Sequence, residues 1–292
     1  MKRATTIEEQ IAILKERNII IGDEDKAREN LLDIGYFRLG FYCFPFEVTY
    51  PEKENRNHKH VDGTLFEDII KLYYFDVDMR NLLLKYIYRI EINFRTYLIY
   101  KVSNRNLNSP TWFVDNSVVR NDYVKKFDTF VYNDKFKNIE VIKCHHQHHI
   151  NDKYAPAWKT IEYMTFGAVI RLYKNLGDGS LKREIARYYN YQSTTAFENN
   201  LETILLIRNS CAHSNILFDI KTPKSIKDGP AGKMGANKNN LAGAIKVIEY
   251  ILKRVSSNRT DDMMKQLNNI LSSDEKSIKV KEIIRNCSGL NF

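Results

Sequence analysis

Residues 207–213 read Ile-Arg-Asn-Ser-Cys-Ala-His, inside an apolar pattern that predicts a helix over residues 197–218. At about 100° per residue, Arg208 falls on the core-facing side of this helix, close in angle to Leu201 and Ile204. A guanidinium there costs several kcal/mol unless it is paired or faces a cavity. Three explanations for Arg208 therefore remain: a buried ion pair, a surface that contacts a partner chain, or a cleft that binds an anion.

The residues after Arg208 add further polar groups at helical spacing. Asn209 precedes His213 by four residues, which makes the two side chains neighbours on a helix. Because arginine is long, Arg208, Asn209 and His213 are predicted to converge on one rim. Phosphodiester cleavage without a metal needs one group that stabilises negative charge on the phosphate and one that transfers protons. The guanidinium of arginine binds phosphate oxygens through two N–H groups, and histidine accepts and donates protons near neutral pH. The spacing also suits an interfacial arginine beside a histidine at a helix end, and the motif by itself does not decide between the two.

Helical periodicity dominates the rest of the chain. The 292 residues are 43% hydrophobic and 28% charged, which predicts a globular protein with a sizeable core. No strand alternation persists, and no glycine-rich phosphate loop of the Walker or Rossmann type is present. We therefore predict an all-α fold. Its first helix follows the capping-box pair Thr6 and Glu9, and its longest helix covers residues 65 to about 102.

Several basic residues are candidate RNA contacts. Lys and Arg outnumber Asp and Glu by 45 to 36, and this modest positive excess is compatible with a polyanion partner. Residues 221–240 are rich in lysine, glycine and asparagine and predict a flexible loop that either closes over RNA or is a solvated linker. The candidate contacts are Arg38, Arg95, Lys221 and Lys224. Arg38 lies in the aromatic segment 31–46, which we predict to be buried, so the alternative for Arg38 is pairing with internal groups. Glu91 is a candidate counter-ion for one of the arginines.

Metal and membrane association are not expected. The four cysteines lie far apart and give no disulfide or zinc spacing. The histidines of residues 145–149 invite a metal interpretation, but we favour a solvated histidine tract. No apolar run approaches the roughly 20 residues of a membrane-spanning helix, and the first residues lack a signal-peptide core. We expect a cytoplasmic protein without a metal.

Four stretches together resemble the Abi-like (AbiD/AbiF) family of bacterial abortive-infection proteins. They are residues 31–46, 66–95, 156–176 and 207–219, which read LLDIGYFRLGFYCFPF, FEDIIKLYYFDVDMRNLLLKYIYRIEINFR, PAWKTIEYMTFGAVIRLYKNL and IRNSCAHSNILFD. Their order and spacing span most of residues 5–220. Residues after about 220 contribute less to the resemblance.

The Abi-like family is similar to the HEPN superfamily of helical RNA-cleaving toxins, whose motif is an arginine followed some residues later by a histidine. The resemblance implies a HEPN-like helical bundle in residues 1–220, with a basic loop and C-terminal helices in residues 221–292 packed on the same body. It implies a metal-independent endoribonuclease toxin of anti-phage defence that needs no cofactor. Arg208 would bind the scissile phosphate, His213 would move the proton, and Asn209 would orient one of them.

The resemblance also implies partners. Sites of this kind are usually composite, so one motif per chain implies a homodimer, and control by a cognate small non-coding RNA is expected. Ser214 stands where relatives often carry a second histidine, so no second imidazole is assigned. Two alternatives to the enzyme remain open: a non-catalytic module that holds a structured RNA, and a protein-interaction scaffold with Arg208 in an interface ion pair.

Overall fold

A computed structural model describes residues 3–273 and 276–291 of the chain. Within them the secondary structure is almost entirely helical, which confirms the all-α prediction. The fifteen α-helices of these residues are α1 (Ile7–Glu16), α2 (Glu24–Asp33), α3 (Tyr36–Cys43), α4 (Phe66–Arg105), α5 (Asn121–Val124), α6 (Phe127–Phe130), α7 (Asp134–Lys137), α8 (Glu140–His148), α9 (Ala157–Tyr163), α10 (Phe166–Lys174), α11 (Gly179–Tyr188), α12 (Thr194–Ala212), α13 (Leu241–Val255), α14 (Ser257–Ser272) and α15 (Ile278–Ser288). Two short parallel strands, β1 (Ile19–Ile20) and β2 (Thr64–Leu65), pair Ile19 with Thr64.

Helix α4 is the central element of the fold. Its 40 residues contain neither glycine nor proline, so nothing in the sequence interrupts the helix that was predicted there. Leu72, Ile87, Ile90 and Leu98 are completely buried along its length. Helices α3, α9, α10, α11, α12, α13, α14 and α15 all pack against it. A helix surrounded in this way is buried on several sides, which explains why its polar residues need internal partners.

Helix α12 ends earlier than its apolar pattern predicted. Ser193 caps its start by accepting a hydrogen bond from the backbone N–H of Ala196, but the last helical residue is Ala212 rather than residue 218. His213 is the C-cap, and Ser214 adopts a positive φ of 54° that turns the chain away from the helix axis. Leu217 and Phe218 continue the apolar pattern because the loop buries them, so periodicity did not reveal where the helix ends.

The aromatic segment 31–46 is only partly buried. Leu39, Tyr42 and Phe46 reach the core, whereas Phe37 is 82% exposed and Phe41 is 48% exposed. The expectation that the whole segment is buried is therefore wrong. Because α3 lies on the outside of α4, one of its faces meets the core and the other carries its aromatic side chains to the surface.

The basic segment after α12 is held against the body instead of forming the flexible loop that its composition predicted. The side-chain amide of Asn199 donates to the carbonyl of Ser225 at 3.1 Å and accepts from the backbone N–H of Lys227 at 2.7 Å. Ile226 and Met234 are buried. Helices α13, α14 and α15 then pack against α4. The division of the chain into two parts at residue 220 remains a prediction.

Within the described ranges, no helix has the length and apolar character to cross a bilayer.

Candidate functional site

Arg208 lies at the junction of α12 with α4. Its Nε is 3.4 Å from Oε2 of Glu91, and its guanidinium carbon is 6.0 Å from the centre of the Tyr88 ring. Its Nη1 donates to Oδ1 of Asn209 at 3.4 Å. The Arg208 side chain is nevertheless 25% exposed. The structure thus supports an ion pair for Arg208, but a pair that solvent still reaches.

Glu91 serves two arginines at once. Its Oε1 accepts from Nη2 of Arg95 at 3.0 Å, and the same Nη2 donates to the carbonyl of Met164 at 3.0 Å. The prediction that Glu91 is a counter-ion for an arginine is therefore confirmed. Arg95 is only 8% exposed, and its Nε is buried without a hydrogen bond among the described residues. A contact of Arg95 with RNA therefore stays a prediction, and its burial disfavours that contact.

His213 is exposed at the end of α12, and its backbone N–H donates to the carbonyl of Asn209 at 3.0 Å. In the part of the chain that the structure describes, no hydrogen bond joins its imidazole to the Arg208 guanidinium. Arg208 turns toward α4, whereas His213 lies at the helix end. The structure therefore brings the Arg208 guanidinium together with the Asn209 side chain and places His213 one turn further along the chain. The convergence of all three side chains stays a prediction.

A buried carboxylate fixes the loop that follows His213. Asp76 is completely buried on α4, and it accepts from the backbone N–H groups of Leu217, at 3.0 and 3.1 Å, and of Phe218, at 2.8 Å. It also accepts from the hydroxyl of Tyr42 at 2.9 Å and from Nη1 of Arg80 at 2.7 Å. Four partners on three separate segments converge on this carboxylate, so it ties α3 and α4 to the end of the motif.

Two arginines add hydrogen bonds to the residues that directly follow His213. Nη1 of Arg80 donates to the carbonyl of Asn215 at 3.2 Å, and Nη1 of the exposed Arg38 donates to the carbonyl of Ser214 at 3.1 Å. Arg38 is therefore exposed, and no carboxylate among the described residues pairs with it, but it does lie beside the motif. Sequence reasoning missed Asp76 and Arg80, although an ionic pair at i,i+4 spacing inside an apolar helix is a detectable signal.

The two candidate lysines occupy different positions. Nζ of Lys221 lies 3.1 Å from the Asp219 carboxylate and donates to the carbonyl of Cys287 at 3.0 Å. The Lys224 side chain is 74% exposed and pairs with Glu202 of α12 at 3.2 Å. Lys224 thus lies on the face of α12 that carries Asn209, while Lys221 is tied to the C-terminal helix. Their contact with RNA stays a prediction.

The histidine tract is not simply solvated. His145 is buried, and its ring stacks on that of His149 with centroids 4.6 Å apart. Nε2 of His146 is hydrogen-bonded to the Tyr132 hydroxyl at 2.9 Å. Burial therefore contradicts the expected solvated tract at His145, because α8 packs this face against α9. No cluster of three or more potential ligands suited to a metal ion occurs among the described residues.

An all-helical body with a partly exposed Arg-Asn pair and a histidine at the end of the same helix defines a helical protein with a candidate polyanion site. A model of the Abi-like protein family matches residues 29–219, which is well over half of the chain and includes α4 and the whole motif. The chain therefore belongs to the Abi-like family, which connects it with abortive-infection defence. Neither curated proteins nor solved structures give a match.

Proposed function

We propose that this protein is a metal-independent endoribonuclease toxin of abortive-infection defence, with a HEPN-type site formed by Arg208, Asn209 and His213. The observation that carries the proposal is the incomplete pairing of Arg208. Its Nε and Oε2 of Glu91 are buried and face each other at 3.4 Å, yet neither makes a hydrogen bond among the described residues. A guanidinium held this loosely can exchange its partner for a phosphate.

The local charge balance favours an anion at this position. One carboxylate, Glu91, lies between the guanidinium groups of Arg95 and Arg208. The next acidic group, Glu162, is 54% exposed and approaches Arg95 only at 4.0 Å. The α4–α12 junction therefore carries a positive charge that is only partly neutralised, and an RNA phosphate at the exposed edge of Arg208 would complete the neutralisation.

The proposed chemistry uses the RNA itself as nucleophile. His213 takes the proton of the ribose 2′-OH, the 2′ oxygen attacks the adjacent phosphorus, and the bond to the 5′ oxygen of the next nucleotide breaks. The products are a 2′,3′-cyclic phosphate and a 5′-OH, and the leaving oxygen receives a proton. Arg208 stabilises the charge that develops on the phosphoryl oxygens, and Asn209 orients the guanidinium to which it is hydrogen-bonded.

A homodimer would let Arg208 of one copy and His213 of the other act on the same phosphodiester. Each chain supplies one motif, so we propose that two copies combine to surround one phosphodiester. Tyr88 and Ile92, one turn apart on α4, are 45% and 46% exposed near Arg208 and offer an apolar surface for a second copy. We further propose that a cognate small non-coding RNA restrains the toxin, since a cationic RNA site can bind an inhibitory RNA as well as a substrate.

His213→Ala tests the enzyme directly. General acid–base groups typically contribute about 10²–10⁴-fold, so the variant should lose cleavage by that factor while its circular dichroism stays unchanged. His148→Ala, which removes an exposed imidazole from α8, is the matched control and should cleave like the parent. Cleavage by His213→Ala at the parental rate would exclude the catalytic assignment.

A non-catalytic RNA-binding module is the second candidate, and the surface of α3 favours it. Phe37 and Phe41 are exposed, lie edge to face with centroids 5.3 Å apart, and flank Arg38. Exposed aromatic rings beside a cation can stack unpaired bases. RNA that remains intact after long incubation, together with binding that weakens steeply with salt, would favour this candidate. Cyclic-phosphate ends on shortened RNA would exclude it.

A further inference from the structure

A pocket of about 280 Å³ opens between α12 and the segment Thr222–Lys224. Leu205 and Leu206 form its apolar wall on the helix, and Pro223 forms the opposite wall. Apolar walls with polar groups beside them are typical of sites that bind small ligands. The pocket owes its shape to the segment after α12, which Asn199 holds in place through Ser225 and Lys227.

The pocket adjoins the Arg-Asn-His motif. Asn209 lines it while also accepting a hydrogen bond from Arg208. Leu205, Asn209 and His213 follow one another at four-residue spacing along one face of α12, so Asn209 and His213 are about 6 Å apart along the helix axis. A nucleotide with its phosphate near Arg208 therefore has a recess for its base within about one helical turn.

A polar group in the pocket lacks a partner. Thr222 lines the pocket and is only 8% exposed. Its Oγ1 is buried and makes no hydrogen bond within residues 3–273 and 276–291. A buried hydroxyl without a partner is costly, and a ligand that supplies a donor or acceptor removes the cost. Asn199, which also lines the pocket, already donates to the carbonyl of Ser225 and accepts from the backbone N–H of Lys227.

The charges beside the pocket favour an anionic ligand such as a nucleotide over a neutral one. Glu202 is the carboxylate that lines the pocket, and it pairs with the ammonium groups of both Lys174 and Lys224. Burial opposes ionisation of Glu202, but the hydrogen bonds from these two lysines hold its pKa below the ordinary value. One carboxylate between two ammonium groups leaves a net positive charge beside the pocket, which attracts the backbone of an RNA strand.

We propose that this pocket binds one unstacked nucleobase of the RNA strand whose neighbouring phosphodiester is cleaved at Arg208 and His213. The inference rests on the proposed function and adds a selectivity site to it. The Thr222 hydroxyl and the Asn209 amide contact the edge of the base, while Leu205, Leu206 and Pro223 enclose its faces. Proteins commonly recognise single-stranded RNA by enclosing splayed bases in this way. The enzyme therefore prefers one base at a fixed position beside the broken bond.

Two measurements on the full chain test the pocket. The first sequences the 5′-OH ends produced from a randomised RNA pool and measures the base preference at each position around the cut. The second uses saturation-transfer NMR with the four nucleoside 3′-monophosphates and does not depend on cleavage. Leu206→Trp fills the pocket, Thr222→Val removes the hydroxyl at nearly constant volume, and Thr195→Val makes the same change at an exposed position on the first turn of α12.

The expected results are specific to each variant. The parent shows a base preference at one position, Leu206→Trp abolishes it, and Thr222→Val reduces it about fivefold, as expected for one lost hydrogen bond. Thr195→Val retains it. Base-proton signals in the NMR experiment disappear with Leu206→Trp, and thermal melting of each variant verifies that it is folded. If Leu206→Trp itself does not fold, Thr222→Val decides the question alone.

The outcomes separate failure of the pocket from failure of the nuclease. Cleavage whose base preference is identical in the parent, Leu206→Trp and Thr222→Val overturns the pocket and leaves the nuclease standing. If no RNA is cleaved, but base-proton signals appear with the parent and disappear with Leu206→Trp, the pocket is supported and the nuclease is overturned. Absence of both cleavage and base-proton signals overturns the two proposals together.

Discussion

Replacing the buried carboxylate of Asp76 with an amide should destabilise the protein strongly. Asp76→Asn preserves the size of the side chain but removes its charge and converts one acceptor oxygen into a donor. The native oxygens accept from Arg80 at 2.7 Å, from Tyr42 at 2.9 Å, and from the amides of Leu217 and Phe218 at 2.8 to 3.1 Å. The new amide group would face some of these donors with a donor of its own.

The magnitude follows from the burial of both charged partners. Asp76 is 0% exposed and Arg80 is 7% exposed, so the guanidinium left behind has little water to solvate it. Removing one member of a buried ion pair typically costs about 3–5 kcal/mol. Natural proteins are stable by only about 5–15 kcal/mol, so we expect Asp76→Asn to remove a large fraction of the free energy of unfolding.

Urea unfolding followed by circular dichroism measures this loss as a lower midpoint. The control is Asp134→Asn, since the Asp134 side chain is 99% exposed and its nearest cation, Lys137, is 3.9 Å away. A surface pair of this kind is worth about 0–1 kcal/mol, so the control should unfold nearly like the parent. If Asp76→Asn changes stability by less than about 1 kcal/mol, the reasoning that Asp76 anchors the loop after His213 is refuted.

Two further predictions concern residues near the motif and in α13. Burial raises the pKa of the Cys211 thiol to about 12, so at pH 8 it remains protonated. Mass spectrometry should therefore find Cys211 unmodified by iodoacetamide in the native protein and Cys144, which is partly exposed, alkylated first; early labelling of Cys211 would mean that the end of α12 opens readily. Gly243→Ala should lower the free energy of unfolding by about 1–3 kcal/mol, because the new Cβ would lie 2.0 Å from the carbonyl oxygen of Asn237. Urea unfolding measures this loss. Gly40→Ala, in the middle of α3 with no atom near the new Cβ, should instead be neutral or stabilising, and equal effects at the two glycines would contradict the close contact.

Local sequence patterns predicted the main elements of the fold because they depend on residues close together in the chain. Thr6 and Glu9 form the predicted capping box at the start of α1. The forty residues of α4 lack helix breakers and carry a sustained apolar period, and the structure places one helix there. The pairing of Glu91 with an arginine also followed from the cost of a charge in an apolar face.

Other features depend on segments that are far apart in sequence. The end of α12 was predicted six residues too late, because Leu217 and Phe218 are apolar in a loop just as they would be in a helix. What decides their conformation is Asp76, which accepts their backbone N–H groups from more than a hundred residues away. No periodicity can encode such a bond.

The sequence alone determined that the chain is helical, that α4 is its longest helix, and that Arg208, Asn209 and His213 lie within one turn or two of each other. Only the tertiary structure decided that Arg208 shares Glu91 with Arg95 and remains partly exposed. It also decided that Thr222 faces α12 across a pocket. The physical reason is that helix formation depends on local propensity and periodicity, whereas the pairing and solvent exposure of a side chain depend on which distant segments pack around it.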